Sequence, residues 1–267
     1  MKTMKEHDNV DDGEAPPQAE RLFSGLIGCE YDALDLIVPE AAAMSRRVGE
    51  RVAQFARQRG KDTAPLSVLE IGCGTGVTTL ALVRAEPNLQ ILSIDNEPAM
   101  LSQARENLAP FVSTGQVRLV EADALTALEG QTGESLDLVA SAYAIHNFRE
   151  VYRTAVLAEI FRVLRPGGLF VNGDRYALDE PAAHTKHTQE ELRGYFKVFA
   201  KINRFDLLEQ WVVHLFGDES PDHIMRLGAS LGKMQDLGFA PVDVPFREGV
   251  NTLLTAGKPG SRASSCG

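Results

Sequence analysis

Three glycines and a carboxylate within nine residues have the types and spacing to hold a nucleoside. The segment VLEIGCGTG, residues 68 to 76, places Gly72, Gly74 and Gly76 where an apolar run ends and a helical pattern begins. Glycines there let the backbone turn tightly and approach a ligand with no Cβ in the way, and the N-terminus of the following helix can face an anionic group. The spacing separates two nucleotide classes. A dinucleotide fingerprint needs a glycine three positions past Gly74, and that position is Val77. The lysine of a phosphate-binding P-loop is also missing. Glu70, two residues before the first glycine, would repel a pyrophosphate and welcome a cation, so the expected ligand is a nucleoside with a positive centre.

Two further acids extend this site. Asp95 follows Gly76 by nineteen residues, in ILSIDNEPAM, where a carboxylate can accept hydrogen bonds from both ribose hydroxyls. Asp123, in EADAL, ends another apolar run. Its carboxylate or the neighbouring backbone would hold the adenine amino group, with Met100 and Ala124 as apolar walls. An acid at a strand end can equally cap a helix, so it is the ordered set that carries the reading.

The elements that must position these residues follow from the hydrophobic rhythm. Short apolar runs alternate with longer amphipathic ones, as a βαβ succession requires. The pattern predicts strands over 66–71, 89–94, 117–121, 136–140 and 169–172, with helices over 77–84, 97–108 and 150–164 between them. Upstream, 33–59 reads as helix interrupted at Pro39. After the fifth strand the rhythm changes: 175–220 holds no convincing strand, while Leu192, Tyr195, Phe199, Leu208, Trp211 and Leu215 recur at helical spacing. This reads as an inserted helical cap. A helix over 221–237 and a closing strand pair over 242–246 and 250–255 complete the α/β, doubly wound, mostly parallel sheet.

With these segments in order, the chain resembles the class I S-adenosylmethionine-dependent methyltransferases. VLEIGCGTG is similar to their first motif, IDNEPAMLSQARENL to the second, EADAL to the third, SLDLVASAYAIHNF to the fourth and VLRPGGLFV to the turn into strand five. The resemblance covers residues 66 to 173 and implies a seven-stranded Rossmann-like sheet with its last strand antiparallel and S-adenosyl-L-methionine laid across the strand ends. The cofactor-binding set is then Glu70, Gly72, Cys73, Gly74, Gly76, Asp95, Asn96, Met100, Asp123, Ala124 and Ser141.

Methyl transfer is an in-line displacement, so the protein must exclude water and align a nucleophile; a base is needed only for a protonated nucleophile. Tyr143, His146 and Asn147 leave the fourth strand at the cofactor end. His146 could be the base or could line the cofactor pocket without proton chemistry, as the resemblance implies for this position, and Tyr143 stands beside it. Arg175, after strand five, either holds an anionic acceptor or pairs with a surface acid. Residues 175–220 would form a lid over that acceptor. His184 and His187 share only their spacing with metal ligands and read as solvated loop residues, so no metal site is expected.

Composition narrows the remaining classes. The chain carries 27 Lys and Arg against 37 Asp and Glu, a formal charge of -10, which argues against nucleic acid as partner. Three widely spaced cysteines make neither a disulfide framework nor a zinc cluster, and no apolar stretch is long enough to span a membrane. The expectation is a cytoplasmic enzyme acting on a small-molecule acceptor, with room for a homodimer. Residues 1–20 and 257–267 read as disordered tails flanking one domain over 21–256. IDNEPAM and YDALDLIVPEA also resemble the carboxy-S-adenosylmethionine synthases, which use this fold in transfer-RNA wobble modification. Against that alternative, Ala41 stands where those proteins carry tyrosine, and NRFDLLEQWVVH lacks their basic, carboxylate-holding run. A catalytically silent cofactor-binding module is the third reading.

Overall fold

The structure is a computed structural model, and it describes residues 40–59 and 64–260. Among these, α1 (Glu40–Arg59) is followed by β1 (Leu66–Ile71), α2 (Val77–Ala85), β2 (Leu89–Asp95), α3 (Pro98–Asn107), α4 (Ala109–Ser113), β3 (Val117–Glu121), α5 (Ala124–Glu129) and β4 (Leu136–Ala142). A 3₁₀ turn (Ile145–Asn147), α6 (Glu150–Val163), β5 (Leu164–Arg175), α7 (Pro181–Lys201), α8 (Phe205–Asp218), α9 (Leu227–Asp236), β6 (Val242–Glu248) and β7 (Asn251–Gly257) complete the order.

The seven strands form one sheet in the order β3-β2-β1-β4-β5-β7-β6. β1 to β5 pair in parallel, and β7 runs antiparallel to both β5 and β6. Strand order reverses between β1 and β4, and their carboxyl ends open a crevice there. Alternate side chains fill two layers, as the period of two in a strand requires. Leu69, Ile71, Ile94, Val139, Phe170 and Leu254 pack on one face against α5, α6 and α9. Val68, Ile91, Leu138, Ala140 and Val171 pack on the other against α1 and α2. β1 and β4 are buried along nearly their whole length, which explains their unbroken apolar runs.

Several boundaries differ from the sequence pattern, each for a local reason. The helix expected over 97–108 continues as a separate turn, α4, because Pro110 has no N–H to carry the ladder onward. The helix expected over 221–237 starts only at Leu227, since Ala177 N–H bonds the Met225 carbonyl and Leu227 N–H bonds the Ala177 carbonyl. β5 extends beyond 169–172 at both ends, and its Gly167 and Gly168 exchange backbone bonds with Lys258. Gly257 ends β7, and Lys258 beyond it still bonds β5, so the strand runs one residue past the boundary expected at 256. The part of the upstream helix expected over 33–39, the 1–20 tail and residues 261–267 lie outside the described residues.

α7 and α8, the helical pair that falls within the segment expected as a cap and is called the cap below, carry a core of their own. Tyr195, Phe199, Leu207, Leu208, Trp211 and Leu215 pack together, apart from both sheet layers. Phe196, Phe205, Val213 and Phe216 remain exposed on the same two helices.

Candidate functional site

The glycine loop joins β1 to α2 at the crevice. Gly72, Gly74 and Gly76 have φ of +69°, +53° and +90°, values at which any side chain is strained. Their surroundings differ. A Cβ on Gly72 would lie 2.3 Å from the Ala144 Cβ, whereas one on Gly74 would meet nothing within 4 Å. The loop thus abuts the turn after β4 at Gly72 and faces open space at Gly74, and α2 begins at Gly76 with no side chain capping its N-terminus.

Asp95 terminates β2 across from the loop and accepts the Gly74 N–H at 2.8 Å and the Glu97 N–H at 2.9 Å. Its burial raises its pKa despite these bonds. The two carboxylate oxygens together keep capacity for a further donor. Glu70 lies wholly buried beneath the loop. Its Oε2 accepts Thr79 Oγ1 and Ser93 Oγ, each at 2.6 Å, while Oε1 has no partner. Burial pushes its pKa to about 7, which those two hydrogen bonds only partly oppose. Burial therefore draws the carboxyl expected beside a cation toward its neutral form. Cys73, buried among these acids, is held as a thiol, its pKa raised first by burial. Met100 and Ala124 are buried, and Asn96 is half-buried next to Asp95. Ser141 is committed to the Ile71 carbonyl at 3.0 Å, bracing β4 against β1.

Asp123 takes the helix-capping role open to an acid at a strand end, which leaves the neighbouring backbone as the remaining part of the expected adenine contact. Oδ1 caps α5 through the Leu125 and Thr126 N–H groups and accepts the Tyr152 hydroxyl at 2.7 Å. The short helix α5 was invisible in the hydrophobic pattern, and the cap residue is the signal that could have found it.

The turn after β4 connects the loop to the cap. Tyr143, at φ +50°, donates its hydroxyl to Asn251 Oδ1 of β7 at 2.9 Å, so it anchors the turn and is not a free acid or base. His146 is 7% exposed, and its Nδ1 donates to Asp174 Oδ1 at 2.6 Å. Asp174, fully buried, also accepts the N–H groups of Ile145, His146 and Arg175. Burial opposes charge on His146, but the Asp174 and Asp218 carboxylates outweigh it and raise its pKa. Its Nε2 points to the cap, 3.9 Å from Asp218 Oδ2, and His214 Nε2 lies 3.8 Å from the same oxygen. Asn147 adds a buried, unpartnered Oδ1 to this turn.

Arg175 does not present a free cation. Its guanidinium forks onto Glu191, at 2.6 and 2.8 Å, and reaches Glu219 at 2.8 Å, so its ion pairs tie β5 to the cap. His184, expected in solvent, is 3% exposed on α7 and bonds Glu219 through Nε2 at 2.6 Å. Asp218 and His214 escaped the sequence reading as a functional pair. Their spacing of four on one helix was the available signal.

The sheet order, the antiparallel β7 and the glycine loop at the switch point define the class I S-adenosylmethionine-dependent methyltransferase fold. Residues 68–168 match the family described as a methyltransferase domain. Solved structures agree on the fold. An O-methyltransferase family protein from Burkholderia thailandensis superposes with a TM-score of 0.61 at 16% identity, over 90% of this chain and 62% of that one. The CurJ carbon methyltransferase gives 0.60 at 20% identity, over 86% and 58%. Among curated proteins, the chain is 25% identical over 226 residues to carboxy-S-adenosyl-L-methionine synthase of Photobacterium profundum, covering 81% of this chain and 83% of that one. It is 28% identical over 169 residues to the synthase of the same name from Geobacter metallireducens, covering 62% and 64%. No helix among the described residues is long and apolar enough to cross a membrane.

Proposed function

We propose that the protein is an S-adenosylmethionine-dependent methyltransferase acting on a small organic acceptor held between the strand ends and the helical cap. One observation carries this reading: the turn over 143–147 touches the glycine loop through Ala144 and the cap through His146, so donor and acceptor sites share one short segment. S-Adenosylmethionine, when bound, supplies an electrophilic methyl group on a sulfonium. The open space before Gly74, the carboxylate of Asp95 and the unpartnered Oε1 of Glu70 fit that group. His146, held in one orientation by Asp174, presents Nε2 as the lone pair that activates the acceptor's nucleophile. The α7 and α8 helices keep water from the transfer.

Identity to the carboxy-S-adenosyl-L-methionine synthases favours a second reading, in which the nucleoside itself is the product. The pairing of Arg175 with Glu191 and Glu219 weighs against it, because that arginine is not free to take a carboxylate donor. Mass spectrometry of the nucleoside after incubation with phenol, amine and carboxylic acid acceptors decides. S-Adenosylhomocysteine together with an acceptor one methyl heavier supports methyl transfer. A nucleoside heavier by a carboxyl group supports the synthase, and tight cofactor binding without product from any acceptor sinks both.

A further inference from the structure

We propose that His146, His214 and Asp218 form a site for a divalent transition-metal ion of the zinc class, joining the cap to the strand ends. The three ligand atoms come from two separate elements, the 3₁₀ turn after β4 and the last turn of α8, and lie within 4.8 Å of one another. A point equidistant from three atoms so spaced lies about 2.2–2.5 Å from each, so shifts of a few tenths of an ångström reach the 2.0–2.2 Å bonds of zinc to imidazole and carboxylate. The side chains are 9%, 12% and 10% exposed, so the ion would be largely shielded from solvent.

Three features beyond proximity point the same way. His146 gives its Nδ1 proton to Asp174, which fixes the tautomer with the Nε2 lone pair toward the cluster, the carboxylate–histidine arrangement that supports metal-bound imidazoles. The His214 ring stands edge-to-face on Trp211 at 5.5 Å, which holds it in place. Charge is the third. Asp174, Asp218, Glu191 and Glu219 gather at this junction against the guanidinium groups of Arg175 and Arg153, leaving two negative charges in excess when the imidazoles are neutral. A dication balances them.

Two histidines and one carboxylate leave at least one coordination position for water or an acceptor oxygen. Placing the acceptor there rests on the methyltransferase reading; the binding of the ion does not. His146 would then activate the nucleophile through the ion.

The test uses the full chain, stripped with chelator and titrated with Co²⁺ and Zn²⁺. One equivalent of Co²⁺ is expected to give the visible bands of four- or five-coordinate cobalt, bleached by one equivalent of Zn²⁺. His214→Ala and Asp218→Asn should weaken Zn²⁺ by about 100-fold or more, and Asp174→Asn by about 10- to 100-fold through the His146 ring. His223→Gln should leave it unchanged. Should a variant fail to fold, the cobalt spectrum of the unmodified protein, and a rise in its melting temperature with Zn²⁺, still decide the matter. An absence of stoichiometric cobalt uptake, or uptake indifferent to His214→Ala and Asp218→Asn, overturns the site and leaves an ion-pair cluster. Metal uptake without methylated product would sink the activity and spare the site; methylated product without uptake would do the reverse.

Discussion

The glycine loop and the cap solve the same problem, holding buried polar groups in place, by opposite means. Around the loop, carboxylates are held largely by backbone N–H groups and by hydroxyls on the next helix and strand: Asp95 by Gly74 and Glu97, Glu70 by Thr79 of α2 and Ser93 of β2. In the cap, side chains hold one another across distant elements: Arg175 pairs with Glu191 and Glu219, and His184 hydrogen-bonds Glu219. Backbone donors come with the fold and are aimed as soon as the sheet forms. Ion pairs across elements depend on the cap docking as a body, so the two regions should fail differently.

Arg175→Ala sharpens that contrast most. It leaves Glu191 and Glu219 without their shared cation, and breaking a pair this shielded costs about 3–5 kcal/mol. Hydrogen exchange should accelerate across 181–218 while the amides of β1 and β4 keep their protection. Uniform loss of protection would mean that cap and sheet form one cooperative unit.

Glu70→Gln comes next and acts through protons. The buried carboxyl titrates at about 7 instead of 4.5, so between these values the folded protein keeps a proton that the unfolded chain has released. Stability therefore falls as pH rises through this window, by a total on the order of 3 kcal/mol. In Glu70→Gln that decline should flatten, as read by urea denaturation at pH 5 and pH 8. Parallel pH curves for the two proteins would remove Glu70 as its source.

Asp95→Ala should weaken S-adenosylmethionine by about 1.5–3 kcal/mol, the range for hydrogen bonds to a charged group. An unchanged dissociation constant would take Asp95 out of the site. The smallest effect belongs to Asp123→Ala. With its Oδ1 spent on the α5 cap, the variant should lose about 1 kcal/mol of stability. Its cofactor affinity should stay within about threefold, roughly 0.65 kcal/mol. A tenfold loss of affinity would restore Asp123 to the nucleoside.

The same contrast explains what could be read from the sequence. Gly72, Gly74, Gly76 and Asp95 act through chain-local geometry, in which a glycine at a turn or an acid at a strand end carries its role in its position. The sheet was legible because β1, β2, β4 and the later part of β5 are largely buried runs flanked by turn residues, whereas β3, at the sheet edge, is only partly buried. The acids that pair with Arg175 could not be named because Glu191 and Glu219 lie sixteen and forty-four residues away, with nothing in the spacing to announce them. His184 looked solvated for the same reason. Helix α5 was missed because its six residues are too short to show a period.

β7 has a consequence for how the chain acquires its shape. It follows every other strand in sequence yet lies inside the sheet, between β5 and β6. Strands β1 to β5 can pair as they leave the ribosome, because each finds its neighbour already made. β6 emerges with no edge to join, and its partner is the strand still to come. The exposed flank of β5, with the fully buried Val171 and Phe170 beside it, must then wait as an open template during synthesis. Closing it requires long-range antiparallel pairing, the slow kind. Pulse-labelled exchange during refolding should show β6 and β7 amides gaining protection together, after β1 and β4.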